Sequence, residues 1–330
     1  MHDRFTLTPA AYRRVTSLAL VALAFIVVTG GAVRVTGSGL GCPDWPTCAK
    51  GRIVAPLETH ALIEFVNRTV TGAVSVMVIV AVLAALRRRP FRRDLVWLAV
   101  GLVFGVIGQI VLGGLVVLFD LYPPLVMGHF VVSMILVADA VVLQHRAGWA
   151  DGSPAAPAVD AEMRRLGSWL VVWAAVVLTL GTVVTGSGPH AGSNEGQFVE
   201  RLPFALRDAA RLHALAVWVL VALTVLTVWR ARRDRAPAEV LRRGNVLLAV
   251  MFAQGAVGYV QYFTKLPAML VAVHIAGATA LWIAVLRFRL GFATRLVPGE
   301  EDPDRGTYEP DRPVTAPGVG SSSPGRLPLG

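Results

Sequence analysis

Charge is scarce in this chain, and cysteine is scarcer. Asp, Glu, Lys and Arg make up 16% of the 330 residues, and two cysteines occur. So little charge, with 55% hydrophobic residues and a mean hydropathy of +0.62, excludes an ordinary soluble domain. Two cysteines exclude a disulfide-built scaffold and a cysteine-rich metal cluster. No set of Cys, His and carboxylate residues has the spacing of a zinc site. Acidic residues number 21 against 31 basic ones, for a net charge of +10. That excess does not point to nucleic acid, because the arginines fall between apolar runs, where they set membrane orientation.

What the chain has instead is long apolar runs. Eight are expected to be helices, at about 16–35, 62–86, 95–118, 125–145, 166–186, 208–229, 244–263 and 268–289. Each is long enough to cross a hydrocarbon layer of ~30 Å. The first lacks a small-residue cleavage site and reads as a retained span. With the N-terminus inside, 23 of the 31 basic residues fall on the inner side, which places both termini in the cytoplasm. The expected fold is an all-α polytopic membrane protein of eight transmembrane helices. An N-tail (1–15) precedes a first four-helix bundle (16–145) with a cysteine-containing outer loop (36–61). A cytoplasmic linker (146–165) leads to a second bundle (166–290), and a disordered tail (291–330) follows.

The halves repeat. Val35-Thr36-Gly37-Ser38-Gly39 recurs as Val184-Thr185-Gly186-Ser187-Gly188, 149 residues on. Gln109 matches Gln254 and His129 matches His274, each offset by 145. With four spans per half, the repeat is parallel, about an axis along the membrane normal. The offset sets His213 opposite Asn67, so a histidine is expected where this sequence has asparagine.

The stretch from His60 to Gly72 carries the most chemistry. At helical spacing His60, Glu64, Asn67, Arg68 and Thr71 share one face. Ionisable groups at the edge of a span are expensive and mark sites; the plainer reading is a Glu64–Arg68 ion pair that fixes helix packing. His129, His213 and His274 lie within two turns of the outer ends of their spans, where histidines on different helices hold haem iron. The plainer reading makes each a hydrogen-bonded packing residue. Arg34, Arg68, Arg211 and Lys265, near outer span ends, either pair with carboxylates such as haem propionates or snorkel to the interface. Asp139 is expected to make a buried hydrogen bond. His2, His145 and His190 are given no role. Cys42 and Cys48, in Cys-Pro-Asp-Trp-Pro-Thr-Cys, read most simply as a disulfide that shapes the loop or acts in redox, with Pro43 and Pro46 stiffening the ring.

Residues 31–48 (Gly-Ala-Val-Arg-Val-Thr-Gly-Ser-Gly-Leu-Gly-Cys-Pro-Asp-Trp-Pro-Thr-Cys) resemble the haem A synthase family. So do Glu64–Arg68, Gly128-His129-Phe130, Arg211-Leu212-His213 and Val273-His274. The likeness runs from about residue 15 to 290. It implies a cell-membrane enzyme that oxidises a ring methyl of haem O to a formyl group by two hydroxylations and loss of water. It implies haem b held by His213 and His274, with haem O in the first bundle at Glu64 and His129. A haem O synthase and a redox partner are implied associates, alongside the lipid bilayer. The family commonly has Glu-x-x-His-Arg where this chain has Glu64-Phe65-Val66-Asn67-Arg68. Either His60 reaches the substrate iron, or His129 ligates alone and leaves a position open; the second is favoured because His60 sits at the helix mouth. Rival readings are a di-haem membrane electron carrier, a repeat-built transporter and a non-catalytic assembly factor.

Overall fold

In a computed structural model of the chain, residues 6–149, 151–152, 155–194, 197–295, 301–302 and 306–307 are described. Among them are eight α-helices: α1 Pro9–Val35, α2 Thr59–Arg87, α3 Arg93–Leu118, α4 Pro123–Ala147, α5 Ala161–Ser187, α6 Leu206–Arg233, α7 Ala238–Phe263 and α8 Ala268–Leu290. All eight are long and apolar enough to cross a membrane, and the chain is a multi-pass helical membrane protein. Seven of the eight begin before the expected apolar stretch, all but α8, and five end beyond it, because capping and charged residues extend them. Thr8 caps α1 by accepting from Ala11 N–H, and Pro9 follows it at the first helical position. Asp160 caps α5, accepting from Met163 N–H at 2.7 Å. That bond, with Arg230 nearby, holds the Asp160 carboxyl below its usual range.

Each half packs its four helices in the same order. In the first half α1 touches α2 and α4, and α3 touches α2 and α4; in the second, α5 touches α6 and α8, and α7 touches α6 and α8. The halves meet through α1 with α8, α4 with α8, and α4 with α5. At that seam Trp282 of α8, 7% exposed, donates its indole N–H to the Met134 carbonyl of α4 at 2.9 Å. Large apolar side chains on the outer faces, Phe25, Phe104, Trp169 and Phe252 among them, stay exposed, as a lipid-facing surface requires.

The α3–α4 and α7–α8 turns are built alike. Asp120 and Leu121 have φ of 49° and 59°, and Lys265 and Leu266 have 64° and 60°. Leu121 N–H bonds Val116 O at 2.8 Å, and Leu266 N–H bonds Gln261 O at 2.7 Å, closing each helix in the same way.

The Arg-rich ends are tied by buried charge. Arg88, fully buried, donates to both carboxylate oxygens of Asp151 at 2.8 and 2.9 Å, joining the end of α2 to the linker between the halves. The expected disorder from residue 291 is corrected over 291–295. Phe292 is fully buried, and β2 (Ala293–Arg295) pairs antiparallel with β1 (Ala155–Pro157) of the linker. An aromatic anchor and a strand partner supply what the polar composition beyond it lacks. A second short pair, β3 (Glu301–Asp302) with β4 (Gly306–Thr307), follows; the rest of the tail call lies outside the described residues, as do residues 1–5 of the N-tail.

Trp282→Ala is expected to remove both seam packing and a buried hydrogen bond. A loss of about 3–5 kcal/mol, read as a lower thermal midpoint in detergent, is the expected outcome.

Candidate functional site

The loop that precedes α2 is stapled to it by one arginine. Arg68 Nε and Nη2 donate to Glu64 Oε1 at 3.1 and 2.6 Å. Its Nη1 donates to the Asp44 and Thr47 carbonyls at 3.1 and 2.9 Å, and Nη2 also donates to the Cys42 carbonyl at 2.9 Å. A guanidinium has five N–H donors, and five bonds are made. Glu64, 5% exposed, accepts the Cys42 N–H on its other oxygen at 2.8 Å. The ion pair weighed as the plainer reading is therefore present, and it also fixes the loop. Arg68, a propionate candidate, has its donors committed inside the protein.

Cys42 and Cys48 form the expected disulfide, with Cα atoms 4.3 Å apart and both residues buried. Gly41 runs backbone to backbone against His60: a Cβ there would collide with the His60 carbonyl. Trp45, inside the disulfide ring, lies on Gly114 of α3, where a Cβ would stand 2.6 Å from the indole. The loop thus lies across the mouth of the first half from α2 to α3. His60 Nδ1 bonds Ser38 Oγ at 3.0 Å, and buried Ser38 also bonds Thr36 Oγ1 at 2.9 Å. His60 therefore belongs to the loop support.

Deeper lie the three histidines. His129 is the seventh residue of α4, His274 the seventh of α8 and His213 the eighth of α6. Each imidazole edge rests on a glycine of the preceding helix. A Cβ on Gly113 of α3 would stand 3.3 Å from His129 Cε1, one on Gly258 of α7 3.2 Å from His274 Cε1, and one on Gly181 of α5 3.4 Å from His213 Cε1. Gln109 Nε2 donates to the His129 carbonyl at 2.9 Å, and Gln254 Nε2 donates to the His274 carbonyl at 2.9 Å. Nδ1 of His129 and of His274 is enclosed by protein and makes no hydrogen bond among the described residues, while the Val177 carbonyl of α5 lies beside His213. The nitrogen left to face a ligand is Nε2.

α6 and α8 stand on a diagonal of their ring, as do α2 and α4. Asn67, the ninth residue of α2, takes the fourth such position and bonds Thr29 Oγ1 of α1 at 2.8 Å. Arg34 donates to the His190 and Thr185 carbonyls at 2.9 and 3.3 Å, and His190 Nε2 donates to the Leu266 carbonyl at 2.8 Å. α1 is thereby tied to the second half's loop and turn, and His190 gains a bridging role. Arg211 is exposed, 3.7 Å from Asp208, apart from this network. Lys265 sits in the α7–α8 turn. Among the described residues the expected hydrogen bond of Asp139 is not made; its carboxylate packs against Gly101, where a Cβ would stand 2.9 Å from Oδ2. The glycine shelves were missed in the sequence, although Gly113 and Gly258 share the 145-residue offset of the histidines they carry.

Imidazoles on diagonal helices, each with its edge against a glycine of the preceding helix, fit axial ligation of a haem iron. The class so defined is an eight-span membrane protein with imidazole sites inside paired helical bundles. Residues 13–61 and 54–286 match the COX15-CtaA family, "Cytochrome oxidase assembly protein", and the chain belongs to that family. A "Heme A synthase" of Listeria monocytogenes is 29% identical over 82% of this chain and 90% of its own length. One of Symbiobacterium thermophilum is 30% identical over 82% and 92%, and one of Shouchella clausii 26% over 85% and 95%.

Arg68→Ala is expected to free the loop and speed reduction of Cys42–Cys48 by dithiothreitol about tenfold or more, followed by thiol alkylation. Arg68→Lys, a point charge with three donors, should fall between the two.

Proposed function

We propose that the chain makes haem A, the activity its relatives' name states, by oxidising a ring methyl of haem O to a formyl group in two successive hydroxylations. The observation that carries this is the set of three glycine-backed imidazoles at one level, two in one half and one in the other. The unequal halves suit two different haems. His213 and His274, across a diagonal of the second half, would hold haem b as a resident group. Bound there, haem b supplies one-electron redox chemistry.

Haem O is the substrate of the first half, with His129 as its iron ligand. Asn67 is a poor iron ligand, and its bond to Thr29 supports an open position on that side. Glu64 is held by Arg68 and the Cys42 amide, which orients the carboxylate at the mouth of the first half. There it would accept a proton or stabilise positive charge developing at the reacting carbon. Arg34 and Arg211 are the propionate candidates whose donors are not all committed. The Cys loop and the histidine level face outward across the cell membrane in this reading, with the arginine-rich ends and both termini in the cytoplasm. Haem O synthase and an electron-transfer protein are the expected partners.

Haem extraction and chromatography from a haem O-producing host test the proposal. Haem A appearing at the expense of haem O is expected, and unchanged haem O in the presence of folded protein would refute it. Glu64→Gln should lower the haem A yield by about a hundredfold while leaving the bound haem b spectrum intact. Loss of that spectrum as well would make Glu64 structural.

A further inference from the structure

A groove of about 870 Å³ opens at the arginine-rich end, between the start of α1 and the end of α4. It belongs to neither the histidine level nor the Cys loop. Arg13 and Arg14 stand exposed at its mouth, and among the described residues neither side chain makes an ion pair or hydrogen bond. Asp151, the acidic residue of the lining, is neutralised by buried Arg88. Trp149 forms part of the α4 side. Below the arginines the wall turns apolar: Leu18 and Val21 are 58% and 64% exposed. Arg14, Leu18 and Val21 follow one helix face downward, a drop of roughly 10 Å.

Two uncompensated guanidiniums, an indole at the helix ends and an apolar wall descending into the span are complementary to one chemistry. A phosphate needs the guanidinium forks, and an acyl chain needs the wall. We propose that this groove binds an anionic phospholipid, its phosphate on Arg13 and Arg14 and an acyl chain along Leu18 and Val21.

The test uses the full-length protein in detergent, incubated with equimolar phosphatidylglycerol and phosphatidylcholine, washed, and assayed for retained lipid by mass spectrometry. Wild type should retain phosphatidylglycerol over phosphatidylcholine by about tenfold or more. The R13Q/R14Q double variant should fall to near parity, with elution on size exclusion unchanged. R232Q/R233Q, which removes two exposed arginines elsewhere on the same end, should keep the preference. Quenching by brominated phosphatidylglycerol should in turn lose its largest component in Trp149→Phe. Equal uptake of both lipids by wild type would overturn the proposal and leave the acidic run Glu300-Glu301-Asp302-Pro303-Asp304 of this chain as the better occupant. Selectivity that survives R13Q/R14Q, or that R232Q/R233Q abolishes equally, would also overturn it.

Discussion

Arg68 and the five bonds it makes are what the site depends on. At the mouth of the bundle the Arg68 side chain is 23% exposed, so most of its donors are shielded from water and each one left unmet would cost free energy. The helix alone can meet two of them, through Glu64 one turn earlier. The other three need carbonyls from outside the helix, and the Cys loop supplies them from Asp44, Thr47 and Cys42. The arginine therefore recruits the loop, and the disulfide keeps its acceptor carbonyls at a fixed spacing. Glu64 is held by the same bonds. The carboxylate proposed to act on the substrate and the cover of the bundle are one unit here, so a change to either moves both.

The histidine level follows a second constraint, which is space. An imidazole facing into a bundle needs room behind it, and glycine on the preceding helix gives that room three times. The first helix of the chain breaks the rule: Thr29 reaches across and donates to the Asn67 side-chain oxygen at the position where the other half has a histidine. One half thus offers two imidazoles and the other offers one. That asymmetry suits the proposed division of labour, a resident haem and a passing substrate, better than two equal electron-transfer sites would.

Much of this was legible in the sequence, and the limits have physical causes. Spans were legible because hydrocarbon thickness sets their length, and their ends were not, because Thr8 and Asp160 extend helices by capping rather than by hydropathy. Gln109 and Gln254 stood out because they are identical. The turns at Asp120-Leu121 and Lys265-Leu266 are just as alike in backbone, yet aspartate against lysine hides it. Gly181 escaped because its counterpart in α1, at the 149-residue offset, is Ala32. The bonds of Arg68 and Arg34 could not be read at all, since their acceptors are main-chain carbonyls placed by the path of a loop. Asp139 was assigned a partner by rule and has none among the described residues; it lies against Gly101, and we have no physical account of it.

The proposed split between the halves is tested most directly by electron paramagnetic resonance of the purified ferric protein. The account predicts a low-spin bis-imidazole signal that His213→Ala and His274→Ala each abolish and His129→Ala leaves in place. A signal that survives His213→Ala, or one that His129→Ala removes, would contradict it.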